Sequence, residues 1–199
     1  MQTTDPDPDP DLERAALRRK LIASREALSD RFDRCAVLQD VLRAWLVGRR
    51  ESSIGAYWPI KGEFDPLPAL YRWSEGAPEG VTRRIGLPRA DRESGSLRWH
   101  VWFPGCPMEL DAYDIPKPKG TEAFAPELLV VPCLGYGPGG VRLGYGGGFF
   151  DRTLRAISPH PITVGVSFTL GFLPLLRPSR LDIELDAMLT EDGVMWQRD

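Results

Sequence analysis

The stretch LLVVPCLGYGPGGVRLGYGGGFFDRTL, residues 128–154, changes character twice. It opens as an unbroken apolar run, the pattern of a short strand buried on both faces. A glycine-rich segment follows, and over residues 147–157 the pattern becomes helical. Strand, loop and helix in this order are the repeating step of α/β proteins, so this stretch decides the fold class. It is also the first place to look for a site. A strand-to-helix turn presents unpaired backbone N–H groups at the positive end of the helix, and glycines let a phosphate chain come close to them. Arg142 could grip a phosphate through two parallel hydrogen bonds, and Asp151 could hold a divalent cation bridging phosphate oxygens. The plainer alternative is a wide turn in which Asp151 caps the helix or pairs with a neighbouring arginine, Arg152 or Arg155.

Two familiar phosphate loops do not fit. Gly135, Gly137 and Gly140 spell G-x-G-x-x-G after a strand, but Pro138 and the VRLGYGGG beyond it do not open a helix there, which argues against a dinucleotide site. A Walker A loop needs Lys-Ser or Lys-Thr where its helix begins, and Phe149 and Phe150 stand in that region.

The flanking segments extend the α/β reading. Residues 12–28 are helical in pattern: Leu17, Leu21 and Leu28 share a face, with Arg14, Arg18 and Arg25 running beside them and Asp9 placed to cap the start. On composition such an arginine stripe reads as a solvated helix face, with a phosphate site as the alternative. A second helix is expected over residues 30–46. SSIGAYWP reads as a strand and DPLPALYRW as the start of a crossing helix. Further strands are expected at residues 81–86, 97–102, 128–131, 162–168 and about 185–189. The expected architecture is a single α/β domain with a mixed, mostly parallel sheet and helices on both faces. The proline-rich residues 105–126 read as an ordered loop. Glu63, in YWPIKGEFD, is by default an exposed loop acid, yet Tyr57 and Trp58 beside it could wall a flat heterocycle.

Composition sets the bounds. At 199 residues with 42% hydrophobic content, the chain can fill one substantial core. Its 25 basic and 28 acidic residues leave a net charge of -3, so any anion site must be built locally and a general binder of nucleic acid or membrane surfaces is not indicated. Cys35, Cys106 and Cys133 lack the spacing of a disulfide framework or a zinc site, which fits a reducing cytoplasm. Residues 1–11, MQTTDPDPDPD, are acidic and proline-rich, the reverse of a secretory signal; a disordered leader is expected there, with the domain over residues 12–199. No apolar run approaches the ~18 residues that span a bilayer. His100 and His160 have no ligand-spaced partner, and Ser167 shows no sign of a base.

The order of these features resembles the 5-formyltetrahydrofolate cyclo-ligase family, also called methenyltetrahydrofolate synthetase, over about residues 13–193. GGVRLGYGGGFFDRTL is similar to the family's G-x-R-L-G-x-G-x-G-Y-Y-D block, and LRRKLIASREALS, IGAYWPIKGEFD, LRWHVWFPG, DIPKPKG and LDIELDAMLTEDG keep the family's order. The resemblance implies a cytoplasmic enzyme in which ATP phosphorylates the formyl oxygen of the folate and N10 closes the ring as phosphate leaves. It implies ATP binding by Arg14, Arg18, Arg142, Gly144, Tyr145, Gly146, Gly147, Gly148, Phe149 and Phe150. Trp58, Glu63 and residues Tyr145, Gly146, Gly147, Gly148 and Phe149 would face the folate, and Asp151 and Asp182 would hold Mg²⁺. Arg142 and Asp151 are the expected catalytic pair. The partners expected are ATP and 5-formyltetrahydrofolate, with no nucleic acid or membrane, and the chain is expected to act as a monomer. The alternative is a family-derived nucleotide- or folate-binding protein without turnover. This sequence departs from the family pattern at Arg14, where lysine is usual, at Phe149 and Phe150, which replace a tyrosine pair, and at Lys117, where an acid commonly precedes proline. GVSFTLGFLP also lacks the glutamine often seen after the late strand.

Overall fold

The apolar run of the opening stretch forms a central strand whose alternate residues serve two separate cores. The computed structural model describes residues 10–198; residues 1–9, most of the expected leader and the cap at Asp9, lie outside them. In chain order the elements are α1 (Pro10–Glu26), α2 (Arg31–Leu46), β1 (Ser53–Gly55), α3 (Leu67–Glu75), β2 (Arg84–Ala90), β3 (Leu97–Trp102), β4 (Met108–Leu110), β5 (Pro116–Pro118), β6 (Ala123–Phe124), β7 (Leu128–Pro132), β8 (Gly135–Tyr136), β9 (Arg142–Leu143), α4 (Phe149–Ala156), β10 (Ile162–Val166), β11 (Ala187–Thr190) and β12 (Gly193–Gln197). Eight strands form one sheet in the order β12-β11-β10-β7-β1-β2-β3-β6. The five strands from β11 to β2 are parallel, and β12, β3 and β6 join antiparallel at the edges. The expected single α/β domain with a mixed, mostly parallel sheet is what the chain forms.

Leu128 and Val130 of β7 point to the face covered by α2 and α3, packing with Leu38, Leu42 and Leu70. Leu129 and Val131 point to the other face, against Trp99 and Leu154 of α4. Both faces are therefore buried, which is why the strand reads as a continuous apolar run rather than an alternating one. Trp99, 1% exposed, packs in the core of the second face and donates its indole N–H to Ala56 O at 2.9 Å. Glycine in β1 makes this possible: a Cβ on Gly55 would sit 2.8 Å from the Trp99 Nε1 and 2.5 Å from Leu129.

The connections fix where a site can form. From β1 the chain crosses through α3 on one face to reach β2; from β7 it crosses through α4 on the other face to reach β10, away from β1. The loops leaving the carboxyl ends of β1 and β7 therefore part, and a crevice opens between them at the topological switch point. Glu63 lies in the first loop and the glycine-rich run in the second.

The differences from expectation are local. The strand expected at 81–86 starts at Arg84 and runs on to Ala90. The proline-rich residues 105–126 are not all loop: β4 and β5 pair there as a hairpin, and Lys117 of β5 donates across it to Glu109. Lys117 is thus a buried hairpin partner with its own acid opposite, which accounts for a lysine at that place. Past β7 the chain forms the small β8–β9 pair before the helix, and Gly140 at its turn has φ +78° with a would-be Cβ 2.4 Å from Leu185 O. Gly140→Ala is expected to destabilise the fold by about 2–4 kcal/mol, from left-handed strain plus overpacking. Neighbouring Gly139, φ +71° with open space around it, should cost only the strain, about 1–2 kcal/mol. Urea denaturation of the two variants side by side checks the difference; equal losses would locate the effect in φ alone.

Candidate active site

Helix α1 is held across the glycine loop by its apolar face: Leu21 packs on Leu134 and Leu143, with Leu17, Tyr145 and Leu173 around them. This turns the arginine stripe inward. Arg14 donates to Asp182 Oδ2 at 2.8 Å and to Arg177 O at 3.2 Å. Arg18 donates to Gly144 O at 2.9 Å. Arg25 donates to Lys61 O at 3.1 Å and to the Tyr145 hydroxyl. The stripe is not the solvated face that composition suggests; all three guanidinium groups end at the site, 120 to 168 residues away in sequence at its loop and its acid.

The glycine loop is cleared largely for arginine side chains, one from the stripe and two from the loop and α4. A Cβ on Gly146, where φ is +97°, would lie 3.2 Å from the Arg18 guanidinium carbon; one on Gly144 would lie 2.8 Å from Arg142, and one on Gly148 2.7 Å from Arg152. α4 begins at Phe149, behind Gly148 with φ 65°, so Asp151 sits in its first turn as expected. Asp151 accepts from Arg142 at 2.7 Å and from the Ile183 backbone N–H at 3.2 Å. Its partner is Arg142, not Arg152 or Arg155, which bind backbone carbonyls instead. Arg142 is 5% exposed, and its Nε is buried with no hydrogen-bond partner among the described residues. Phe150 lies within the second core, tilted against Trp99 with centroids 6.3 Å apart, under the Arg142 guanidinium. Phe149 is half-buried at the surface of the site, edge-on to Tyr113 at 5.5 Å. Tyr113 and Arg25 are the side chains that sequence reasoning left out of the site. For Arg25 the available signal was its place on the stripe with Arg14 and Arg18.

The Asp151 carboxylate binds the backbone amide of Ile183, the residue after Asp182, which ties the first turn of α4 to the Asp182 segment. Burial pushes the Asp182 carboxyl up, but the Ser179 amide and Arg14 outweigh it and hold it below its ordinary value. Two carboxylate oxygen donors suit Mg²⁺, which takes one or two carboxylates and fills its shell with water and phosphate oxygens; among the described residues no cluster of three ligating side chains offers a closed metal cage.

On the opposite wall, Glu63 Oε2 accepts from Ile60 N–H at 2.9 Å, while Oε1 is shut off from solvent with no partner among the described residues. Trp58 is half-buried against the α2–α3 core just ahead of this turn. Burial raises the Glu63 carboxyl to about 7, against the pull of the Ile60 amide and Arg25. A carboxyl raised on folding binds its proton more tightly in the native state. Its contribution to stability is therefore greatest below its unfolded value near 4.5 and declines as pH climbs to about 7. Glu63→Gln is expected to raise Tm by about 3–6 °C at pH 8 and to leave it unchanged at pH 4, read by thermal melts at both values. Equal shifts at the two pH values would remove ionisation as the cause. A wide open hollow of about 1300 Å³ lies elsewhere, between the β2–β3 hairpin, β4–β5 and α4, and includes neither acid nor the unpaired Glu63 oxygen.

An α/β sheet with a glycine-rich, arginine-lined crevice at its switch point defines the class, an α/β protein whose crevice is suited to an anion. The profile of the 5-formyltetrahydrofolate cyclo-ligase family matches residues 11–191, and the chain belongs to that family. The 5-formyltetrahydrofolate cyclo-ligase of Escherichia coli K12 is 27% identical over 153 residues, covering 73% of this chain and 80% of the relative. Among solved structures, the 5,10-methenyltetrahydrofolate synthetase of Aquifex aeolicus superposes with a TM-score of 0.74 at 25% identity, covering 94% of this chain and 93% of that one. That of Mycoplasma pneumoniae does so with a TM-score of 0.72 at 19% identity, over 90% of this chain and 99% of that one.

Proposed function

We propose that the protein is a cytoplasmic enzyme, acting as a monomer, that converts 5-formyltetrahydrofolate and ATP into 5,10-methenyltetrahydrofolate, ADP and phosphate in a Mg²⁺-dependent reaction. The observation that carries this is the pairing, in one crevice, of two arginine–carboxylate pairs beside a cleared backbone, with a sealed carboxylate oxygen opposite that has no partner among the described residues. A formamide is a poor electrophile, and transfer of the γ-phosphoryl group to its oxygen creates a leaving group. N10 of the substrate then bonds to the activated carbon, the carbon–oxygen bond to phosphate breaks, and N10 gives up its proton. The substrate supplies the nucleophile, so the chain's work is positioning and charge neutralisation.

Arg14, Arg18 and the segment from Arg142 through Gly144, Tyr145, Gly146, Gly147 and Gly148 to Phe149 and Phe150 line the ATP side. Within it Phe150 supports Arg142 from below. Arg142 neutralises charge on the transferring phosphoryl group. Mg²⁺, held by Asp151 and Asp182, would screen phosphate charge. Glu63 accepts hydrogen bonds from the amino-pyrimidinone edge of the folate at Oε1, with Trp58 and Phe149 as apolar walls. Purified protein mixed with 5-formyltetrahydrofolate, ATP and Mg²⁺ should show the near-ultraviolet absorbance of the methenyl product, and none with ATP omitted. Folded protein that binds ATP and folate but gives no such rise and no ADP would be a binding protein without turnover.

A further inference from the structure

Arg25 closes the last turn of α1 and is 4% exposed, the most deeply buried cation of the stripe. An arginine in such a place is costly unless its fork is satisfied. Here Nε–H donates to Lys61 O at 3.1 Å and Nη2 donates to the Tyr145 hydroxyl. The guanidinium carbon is 5.8 Å from the Tyr145 ring centre, and Lys61 Nζ is 5.4 Å from the same ring. One side chain of α1 thus ties the loop after β1 to the glycine loop after β7, across the mouth of the crevice.

The turn it grips is the one that aims Glu63. Lys61 has φ 48°, a left-handed conformation unusual for a lysine, and the turn closes with Glu63 N–H on Ile60 O at 3.0 Å and Ile60 N–H on Glu63 Oε2 at 2.9 Å. Glu63 is faced by Arg25 from α1, by Lys61 from its own turn, by Tyr145 from the glycine loop, and by Tyr57 and Cys133 from the strand ends behind it. Only Arg25 and Lys61 among these carry positive charge, and Lys61 is exposed while Arg25 is buried. Because the Tyr145 hydroxyl accepts from Arg25, its own hydrogen is left to face the Glu63 carboxylate.

We propose that Arg25 is a positioning residue for the folate-binding carboxylate. It fixes the Lys61–Glu63 turn and the Tyr145 hydroxyl, and supplies the buried positive charge against which Glu63 presents Oε1 as a charged acceptor to an N–H edge. The proposal rests on the reading that Glu63 binds the pterin. It explains why a helix whose other two arginines serve phosphates carries a third one reaching the opposite wall. It also gives α1 a second task, setting ligand selection at a carboxylate it does not itself contain.

The test uses Arg25→Met, which keeps length and loses fork and charge, and Arg25→Lys, which keeps charge. Titration of ¹³C-carboxyl-labelled protein without ligand, with the Glu63 signal identified by its loss in Glu63→Gln, is expected to show Glu63 moving up by about one pH unit or more in Arg25→Met and by less than about half a unit in Arg25→Lys. At pH 7 the folate KM of Arg25→Met should rise about tenfold and recover as pH approaches 9, with the ATP KM within about twofold of the parent. A Glu63 titration unchanged in Arg25→Met, or equal losses for ATP and folate at every pH, would make Arg25 a structural clamp and overturn the proposal. If Arg25→Met does not fold, Arg25→Lys and Tyr145→Phe decide: each should raise the folate KM by about threefold, in Arg25→Lys with the ATP KM unchanged, and a wild-type folate KM in both defeats the proposal. Should the unaltered protein not act on the folate at all, the proposed function fails, while the carboxyl titration still reports whether Arg25 governs Glu63.

Discussion

Asp151→Asn is expected to lower Mg²⁺-dependent turnover by about a thousandfold, because the proposed reaction develops charge on phosphate oxygens where this carboxylate would hold the cation. Asparagine is the informative replacement. The acid is only 17% exposed and pairs with Arg142, which is 5% exposed, so it does more than face solvent and metal. Asp151→Ala strands a buried guanidinium and should cost about 3 kcal/mol of stability, which would blur the kinetic result. The carboxylate uses Oδ1 for the Ile183 N–H and Oδ2 for Arg142, so the one amide oxygen of asparagine keeps only one of these bonds; the melt should fall by several degrees, but by less than in Asp151→Ala. The check is the absorbance rise of the methenyl product over a Mg²⁺ series. Turnover within tenfold of the parent at ordinary Mg²⁺ would remove Asp151 from the cation site and leave it as the structural partner of Arg142.

The second large effect is expected from Arg142→Lys, a loss of about a hundredfold that falls on kcat rather than on the KM for ATP. Charge is kept in this variant, so the outcome isolates geometry. The planar fork of Arg142 spends one nitrogen on Asp151 and keeps others for a phosphoryl group, whereas a single ammonium is a point charge that satisfies one partner at a time. The surroundings are shaped to the fork: Gly144 leaves space 2.8 Å from Nη1, and the Phe150 ring centre lies 5.6 Å from the guanidinium carbon. Steady-state kinetics separates the possibilities. A raised KM with kcat unchanged would assign Arg142 to ground-state binding of ATP, not to charge developed during transfer.

Much of the framework was legible before any coordinates. The parallel strands showed as short apolar runs because both faces of the central sheet are covered, and the helices showed through their period. The strands that escaped notice are short or at edges: β6 and the β8–β9 pair have two residues per strand, and β4–β5 is interrupted by prolines. Such pieces bury too little to leave a periodic trace, and they form because neighbouring strands offer free backbone groups. β12 likewise pairs on the open side of β11, with a register shift between Met188 and Leu189 that no spacing rule announces.

The site divides along the same line. Glycine density, an arginine before it and an acid in the first helical turn are neighbours in the chain, so Arg142, the glycines and Asp151 could be singled out from sequence alone. Which partner each charge takes could not. Arg14 meets Asp182 across 168 residues, Arg25 meets Tyr145 across 120, and Lys117 proves to be the partner of Glu109. Glu63 reads as an exposed loop acid until packing seals one of its oxygens. Local sequence determined the elements and the chemistry of the loop, because backbone freedom and apolar period act over a few residues. Tertiary structure alone decided the orientation of the arginine stripe, the pairing of the charges and the ionisation of Glu63, because these depend on desolvation and on contacts that form only when β1 and β7 lie side by side and send their loops apart.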